Sequence, residues 1–216
     1  MILNKKNFKS LSFFTYIIFI FLCNILLTAC TFTKKLNIKS INKKINTEWI
    51  IHQKKIIQLK KFNTRGSFTY IDNYNKIYAN FFWQQNNFLN YQLFFNNPLG
   101  ITEFMLYVTP DFTIITDKNN KKYTNKKPEE LIYQLINIKI PIENFSYWLI
   151  GLPINATSFT LKNNGLLKKI KYIKNGEKWN INYLSYLKKN QFKLPSNIEL
   201  KQSDKLIKLK INNWDF

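Results

Sequence analysis

From Gly66 onward the sequence repeats one pattern: short runs in which every second residue is apolar, closed by turn residues. In Tyr91-Gln92-Leu93-Phe94-Phe95, positions 91, 93 and 95 share a face. Trp179-Asn180-Ile181-Asn182-Tyr183 and Ile207-Lys208-Leu209-Lys210-Ile211 alternate without a break, and Ile170 and Tyr172 alternate with Lys169 and Lys171. Successive side chains of a strand point to opposite faces, so this periodicity describes strands with one apolar and one polar side. Asp72-Asn73, Asn86-Asn87, the stretch 117–120, Asn163-Asn164-Gly165 and Asn175-Gly176 supply turns at hairpin spacing. The pattern predicts an antiparallel sheet, and a sheet that is apolar on one side must cover that side or close on itself.

Three segments carry a helical period and provide cover. The stretch 47–60 brings Trp49, Ile56 and Leu59 near one face, with Thr47-Glu48 as its start. Pro128-Glu129-Glu130 opens a second helix, with proline in the first turn and acids at the positive end of the dipole; it carries Leu131, Ile132, Leu135 and Ile136. The stretch 143–150, with Phe145 and Trp148 on its apolar side, is stopped by Gly151 and Pro153. The expected class is mainly β with a few helices (α+β).

The N-terminus follows a different plan. Lys5, Lys6 and Lys9 precede an apolar run over 11–27 that is broken by Ser12, Thr15 and Asn24. Small residues Thr28 and Ala29 follow, then Cys30. This is the three-part plan of a bacterial export signal, and Leu27-Thr28-Ala29-Cys30 reads as a lipobox. A thiol is needed at that point because the sulfur is alkylated with diacylglycerol; the chain is then cut before Cys30, and the freed amine takes an N-acyl chain. The rival readings are weaker. A Cys23–Cys30 disulfide would tie together a discarded segment, a metal pair lacks further Cys or His ligands, and an apolar run of about seventeen residues is at the short limit for a spanning helix. Thr31 after the cysteine, where an aspartate would signal retention in the inner membrane, points to the outer membrane. The expected organisation is a cleaved signal peptide over 1–29, a lipidated N-terminus and Lys/Asn-rich tether over 30–46, and one domain over 47–216.

A formal net charge of +21 invites a nucleic-acid reading. Arg65 is the single arginine, however, and the lysines lie scattered on polar strand faces instead of forming a phosphate-tracking stripe. Lys, Asn, Ile, Phe and Tyr all have A/T-rich codons, so base composition accounts for the charge, and no nucleic-acid partner is expected. The search for chemistry returns no glycine-rich phosphate loop, no nucleophile elbow and no metalloprotease helix. His52 stands without a Ser, Cys or carboxylate pair near it in sequence and reads as a surface or packing residue. With no metal and no catalytic residue indicated, a binding protein is expected. Aromatic residues make up 17% of the chain, and Phe81-Phe82-Trp83 and Phe94-Phe95 are compatible either with plain core or with the lining of an apolar cavity.

Several blocks carry a family resemblance: Thr64-Arg65-Gly66-Ser67-Phe68-Thr69-Tyr70; Phe81-Phe82-Trp83-Gln84-Gln85; Asn97-Pro98-Leu99-Gly100; Ile140-Pro141 with Trp148-Leu149-Ile150-Gly151-Leu152-Pro153; and 207–211 with Trp214. In order and spacing, from the lipobox to the C-terminus, they resemble the LolB family of outer-membrane lipoprotein receptors. The resemblance implies an incomplete, unclosed antiparallel β-barrel wrapped around covering helices, with an apolar cavity. It implies a monomer, lipid-anchored through Cys30 and facing the periplasm, that receives acylated lipoproteins from a LolA-like carrier. The cargo is then inserted into the inner leaflet of the outer membrane without nucleotide hydrolysis. No cofactor is implied beyond the acyl groups on Cys30. The loop Pro98-Leu99-Gly100 would deliver cargo to the membrane, with Leu99 protruding. Inward faces around Trp83, Tyr91, Leu93, Phe95, Trp148, Trp179 and Ile181 would hold the acyl chains. The competing readings are an envelope scaffold without a transfer role and an enzyme with an unrecognised site.

Overall fold

The structure, a computed structural model, describes residues 47–216; the expected signal segment, the tether and Cys30 lie outside the described residues. The chain enters through helix α1 (Thr47–Ile56) and then runs through six strands: β1 (Phe62–Ile71), β2 (Lys76–Asn87), β3 (Asn90–Asn96), β4 (Thr102–Val108), β5 (Thr113–Asp117) and β6 (Lys122–Asn125). A helical connection follows, made of α2 (Pro128–Ile136), a 3₁₀ turn (Ile142–Asn144) and α3 (Phe145–Trp148). Five strands complete the domain: β7 (Ser158–Leu161), β8 (Leu167–Lys174), β9 (Glu177–Lys189), β10 (Phe192–Gln202) and β11 (Lys205–Asp215).

All eleven strands form one antiparallel sheet in the order β6-β5-β4-β3-β2-β1-β11-β10-β9-β8-β7. Two meanders are joined at the centre by the pairing of β1 with β11, and the edges β6 and β7 are not paired with each other, so the barrel is unclosed. The period of two is realised in burial. Phe62, Thr64, Phe68 and Tyr70 of β1, Trp179, Ile181 and Tyr183 of β9, and Ile207, Leu209 and Ile211 of β11 are buried, while the intervening lysines of β8 and β11 lie toward solvent. At the central seam the register shifts between Arg65 and Gly66, and a Cβ built on Gly66 would fall 1.9 Å from the carbonyl oxygen of Lys210. Only glycine admits so close a backbone approach at this bulge.

The helical connection is fixed to the sheet by polar bonds from both halves. Tyr91 on β3 donates to the Ile142 carbonyl (3.4 Å), and Tyr183 on β9 donates to the Trp148 carbonyl (2.9 Å). Lys174 at the end of β8 reaches Glu129 of α2 at 2.7 Å and Glu143 of the 3₁₀ turn at 2.9 Å.

Three local expectations change. The first helix ends at Ile56 instead of Lys60, because its last turn tightens: Leu59 N–H bonds the Ile56 carbonyl at 3.0 Å before the chain enters β1. Asn86-Asn87 is not the turn but the end of β2; the turn is Phe88-Leu89, closed by the Asn87 side chain accepting from Leu89 N–H at 2.9 Å. The segment 143–150 is not one helix. A 3₁₀ turn precedes α3, and Glu143 is drawn sideways to Lys174.

Candidate functional site

The two halves of the sheet treat their buried faces differently. Over β8–β10 the helical connection sits directly on the strands: Trp148 packs edge-on against Tyr172 with ring centres 5.2 Å apart, and its indole N–H donates to the Ile154 carbonyl at 3.1 Å. Over β1–β5 the cover stands off and encloses an apolar cavity of 560 Å³. Phe68, Phe81, Leu106 and Ile115 line the sheet side, and Ile132, Leu135, Ile142, Phe145 and Leu149 line the helical side. This volume falls within the roughly 300–1,000 Å³ of small-molecule sites.

Of the residues expected to hold acyl chains, Trp83, Leu93 and Phe95 line this cavity. Trp83 offers it only carbon: its ring stacks on Tyr91 at 4.4 Å, and its N–H is taken by Gln85 Oε1 at 3.1 Å, whose amide in turn donates to the Lys60 carbonyl at 3.2 Å. The other four residues lie elsewhere. Tyr91 is buried behind Trp83, with its hydroxyl turned to the Ile142 carbonyl. Trp148 and Ile181 border a void of 10 Å³ within the filled half. Trp179 faces a polar cleft with Glu129, Glu143 and Lys174. For Trp148 and Ile181 the reason is the docking of the segment 142–148, which fills the β8–β10 half; Tyr91, on β3, is held away by its stack on Trp83 and its bond to the Ile142 carbonyl. The residues that sequence reasoning missed, Phe68, Leu106 and Ile115, obey the same alternation as those it found, and Phe81, weighed as core or cavity lining, lines the cavity. The apolar face of α2 was read as cover alone, although Ile132 and Leu135 also face the cavity.

The exposed lining residues gather at one end of the strands, where Ile71 pairs with Lys76, Asn96 with Thr102 and Phe104 with Asp117. Ile77, Tyr78, Asn97, Glu103 and Asp117 border the cavity there. The loop 97–100 hangs from the same end. Asn97 closes it by accepting Gly100 N–H on its carbonyl (2.9 Å), and its side-chain oxygen accepts from Leu99 N–H (3.0 Å) and Ile101 N–H (3.1 Å). Pro98 takes the first central position, and Gly100 has φ +86°. Leu99 is 85% exposed. The neighbouring β1–β2 hairpin is locked by Asp72. The Tyr74 amide first, then the Tyr70 hydroxyl and the Asn75 amide, hold its carboxyl down at about 2. His52 is half-buried, and burial, with Lys193 and Lys55 beside it, pushes its imidazole below the ordinary value; it is a neutral packing residue against Trp49.

The sequence model of the family "Outer membrane lipoprotein LolB" matches residues 60–214. The outer-membrane lipoprotein LolB of Photorhabdus laumondii is 45% identical over 192 residues, covering 89% of this chain and 91% of that protein. Its counterpart in Pectobacterium carotovorum is 40% identical over 193 residues, covering 89% and 92%. Among solved structures, a LolA superfamily protein from Nitrosomonas europaea superposes with a TM-score of 0.52 at 10% identity, over 73% of this chain and 86% of that one, which places the fold.

Proposed function

The chain belongs to the LolB family of outer membrane lipoproteins, and from this premise we propose that it accepts acylated proteins from a LolA-like periplasmic carrier and passes them to the outer membrane. The observation that carries the reading is the apolar 560 Å³ cavity between β1–β5 and the helical cover, whose exposed end bears Leu99. Acyl chains leave water for this cavity at about 0.8 kcal/mol per methylene. No nucleotide is needed if the receptor binds the chains more tightly than the carrier does, and the bilayer then takes them in turn. Lipid attached at Cys30 would keep the cavity within reach of the membrane. The residues given the acyl-binding role are Trp83, Leu93 and Phe95 together with Phe68, Phe81 and Leu106.

Binding of a fluorescent fatty-acyl probe, in competition with an acylated peptide, tests this. Leu93→Asp should abolish probe binding, because an unpaired carboxylate in an apolar pocket is strongly disfavoured. Ile181→Val, in the filled half, should leave it intact. A wild-type protein that binds no acyl probe would favour a scaffold role.

A further inference from the structure

Strand β2 is longer than its neighbour. It pairs with β1 from Gln85 through Lys76, without a register shift, but with β3 only from Asn87 back to Asn80, which faces Asn96. From Lys76 to Ala79 its outer side therefore has no strand partner among the described residues. The chain beyond Asn96 does not fill the gap. The loop 97–100 folds on its own Asn97, whose N–H bonds the Ile101 carbonyl at 2.8 Å, and β4 resumes at Thr102 beside Asn96. The ladder phase identifies the open groups. Asp72 N–H bonds the Asn75 carbonyl, so bonded pairs to β1 recur at Ile77 and Ala79, and Lys76 and Tyr78 turn their N–H and C=O outward. This open edge lies at the cavity's exposed end, where Ile77 and Tyr78, 42% and 53% exposed, border the cavity.

Sheets ordinarily cover or shorten such edges. An open stretch beside a lipid-sized cavity suits an extended peptide that adds as a short strand, with affinity from main-chain bonds and little demand on sequence. Resting on the acyl-receptor reading above, we propose that the edge Lys76–Ala79 binds the extended peptide that follows the acylated cysteine of a cargo protein. With acyl chains in the cavity, the cysteine sits at the rim, and the next few residues, at about 3.3 Å each, run along this edge. Recognition of backbone explains how one receptor takes cargoes that share only an acylated cysteine.

The test uses the full chain in detergent with two ligands: a fatty acid, and a diacylated cysteine peptide with five following residues. Amide hydrogen exchange at Lys76 and Tyr78 should slow at least tenfold with the lipopeptide and not with the fatty acid. Tyr78→Pro removes one outward N–H at a position where edge proline is tolerated. Relative to Tyr78→Ala, which also lacks the ring, it should bind the lipopeptide roughly tenfold more weakly, and the two variants should bind the fatty acid equally. Methylating alternate peptide nitrogens should weaken wild-type binding without any change to the protein. If both ligands bind and the exchange at 76–79 is unmoved, the edge proposal is wrong and the receptor reading stands. If neither binds, the receptor reading itself fails. Protection already present without ligand would assign the edge to a second copy when it depends on protein concentration, or to the chain's own residues 31–46 when it does not; either result overturns the proposal.

Discussion

Leu99 is held outward by its neighbours. Pro98 sets the turn, Asn97 collects the loop amides, and Gly100 takes a backbone conformation that side chains disfavour, so the leucine side chain stands in water. Entry of one leucine into the membrane interface yields about 1.5–3 kcal/mol, too little to anchor a protein but enough to bias the tip of a tethered one. Leu99→Glu should therefore fold and accept cargo from the carrier, yet pass it poorly to liposomes. A two-step transfer assay separates the steps, and loss of acceptance with normal delivery of preloaded cargo would assign Leu99 to the cavity. This turn was legible residue by residue, since Asn, Pro and Gly each have a local reason to stand where they do. The requirement at Gly66 was not. Its cause is the carbonyl of Lys210, which is brought alongside by the last strand, and nothing near position 66 in sequence records it.

At the scale of elements, one ammonium, that of Lys174, is shared between two carboxylates on different pieces of the cover, α2 and the 3₁₀ turn. Burial raises the Glu129 carboxyl; the bond from Lys174 pulls it back only in part, and Glu143 adds to the rise. Burial works against the Lys174 charge, but its bonds to Glu129 and Glu143 hold the ammonium charged above its ordinary range. A carboxyl whose folded pKa lies above the unfolded one favours the fold at acid pH and disfavours it as pH climbs past the unfolded value. The raised ammonium gives stability that is full at neutral pH and fades only at strongly alkaline pH. Lys174→Met leaves Glu129 without its partner, and because both groups are partly exposed the cost is about 1–2 kcal/mol at pH 8. The deficit should be smaller at pH 5 than at pH 8, because the Glu129 carboxyl is raised by burial and takes a proton more readily as pH falls. Urea unfolding of both proteins at the two pH values checks this, and a deficit that grows toward acid pH would refute the assignment. The apolar faces of the helices were readable from their period. Which half of the sheet they would fill was not, because that depends on where 142–148 docks, and this is why Trp148 and Ile181 read like Trp83 and Leu93 in sequence yet lie in the filled half.

For the molecule as a whole, the sheet, its apolar side and its cover follow from the period of two, because half of each strand must escape water and eleven strands share that need. The lipobox reading puts the membrane tether at Cys30. One acyl chain holds a protein only marginally and two or three hold it firmly, so Cys30→Ser should leave an uncleaved, unlipidated precursor by intact mass, with cargo binding retained. Cleavage and acylation in that variant would overturn the lipobox assignment. The seam of the sheet carries one more consequence, and it concerns time. Thr64 bonds the Asn213 carbonyl 149 residues away, and β1 finds its second neighbour only in β11, the last strand of the sheet in chain order. Closing so long a loop is slow, and the middle of the sheet stays half-paired until β11 is in place. A chain of this topology can build its two meanders from near neighbours, but it has no complete sheet, and so no covered cavity wall, until β11 reaches β1.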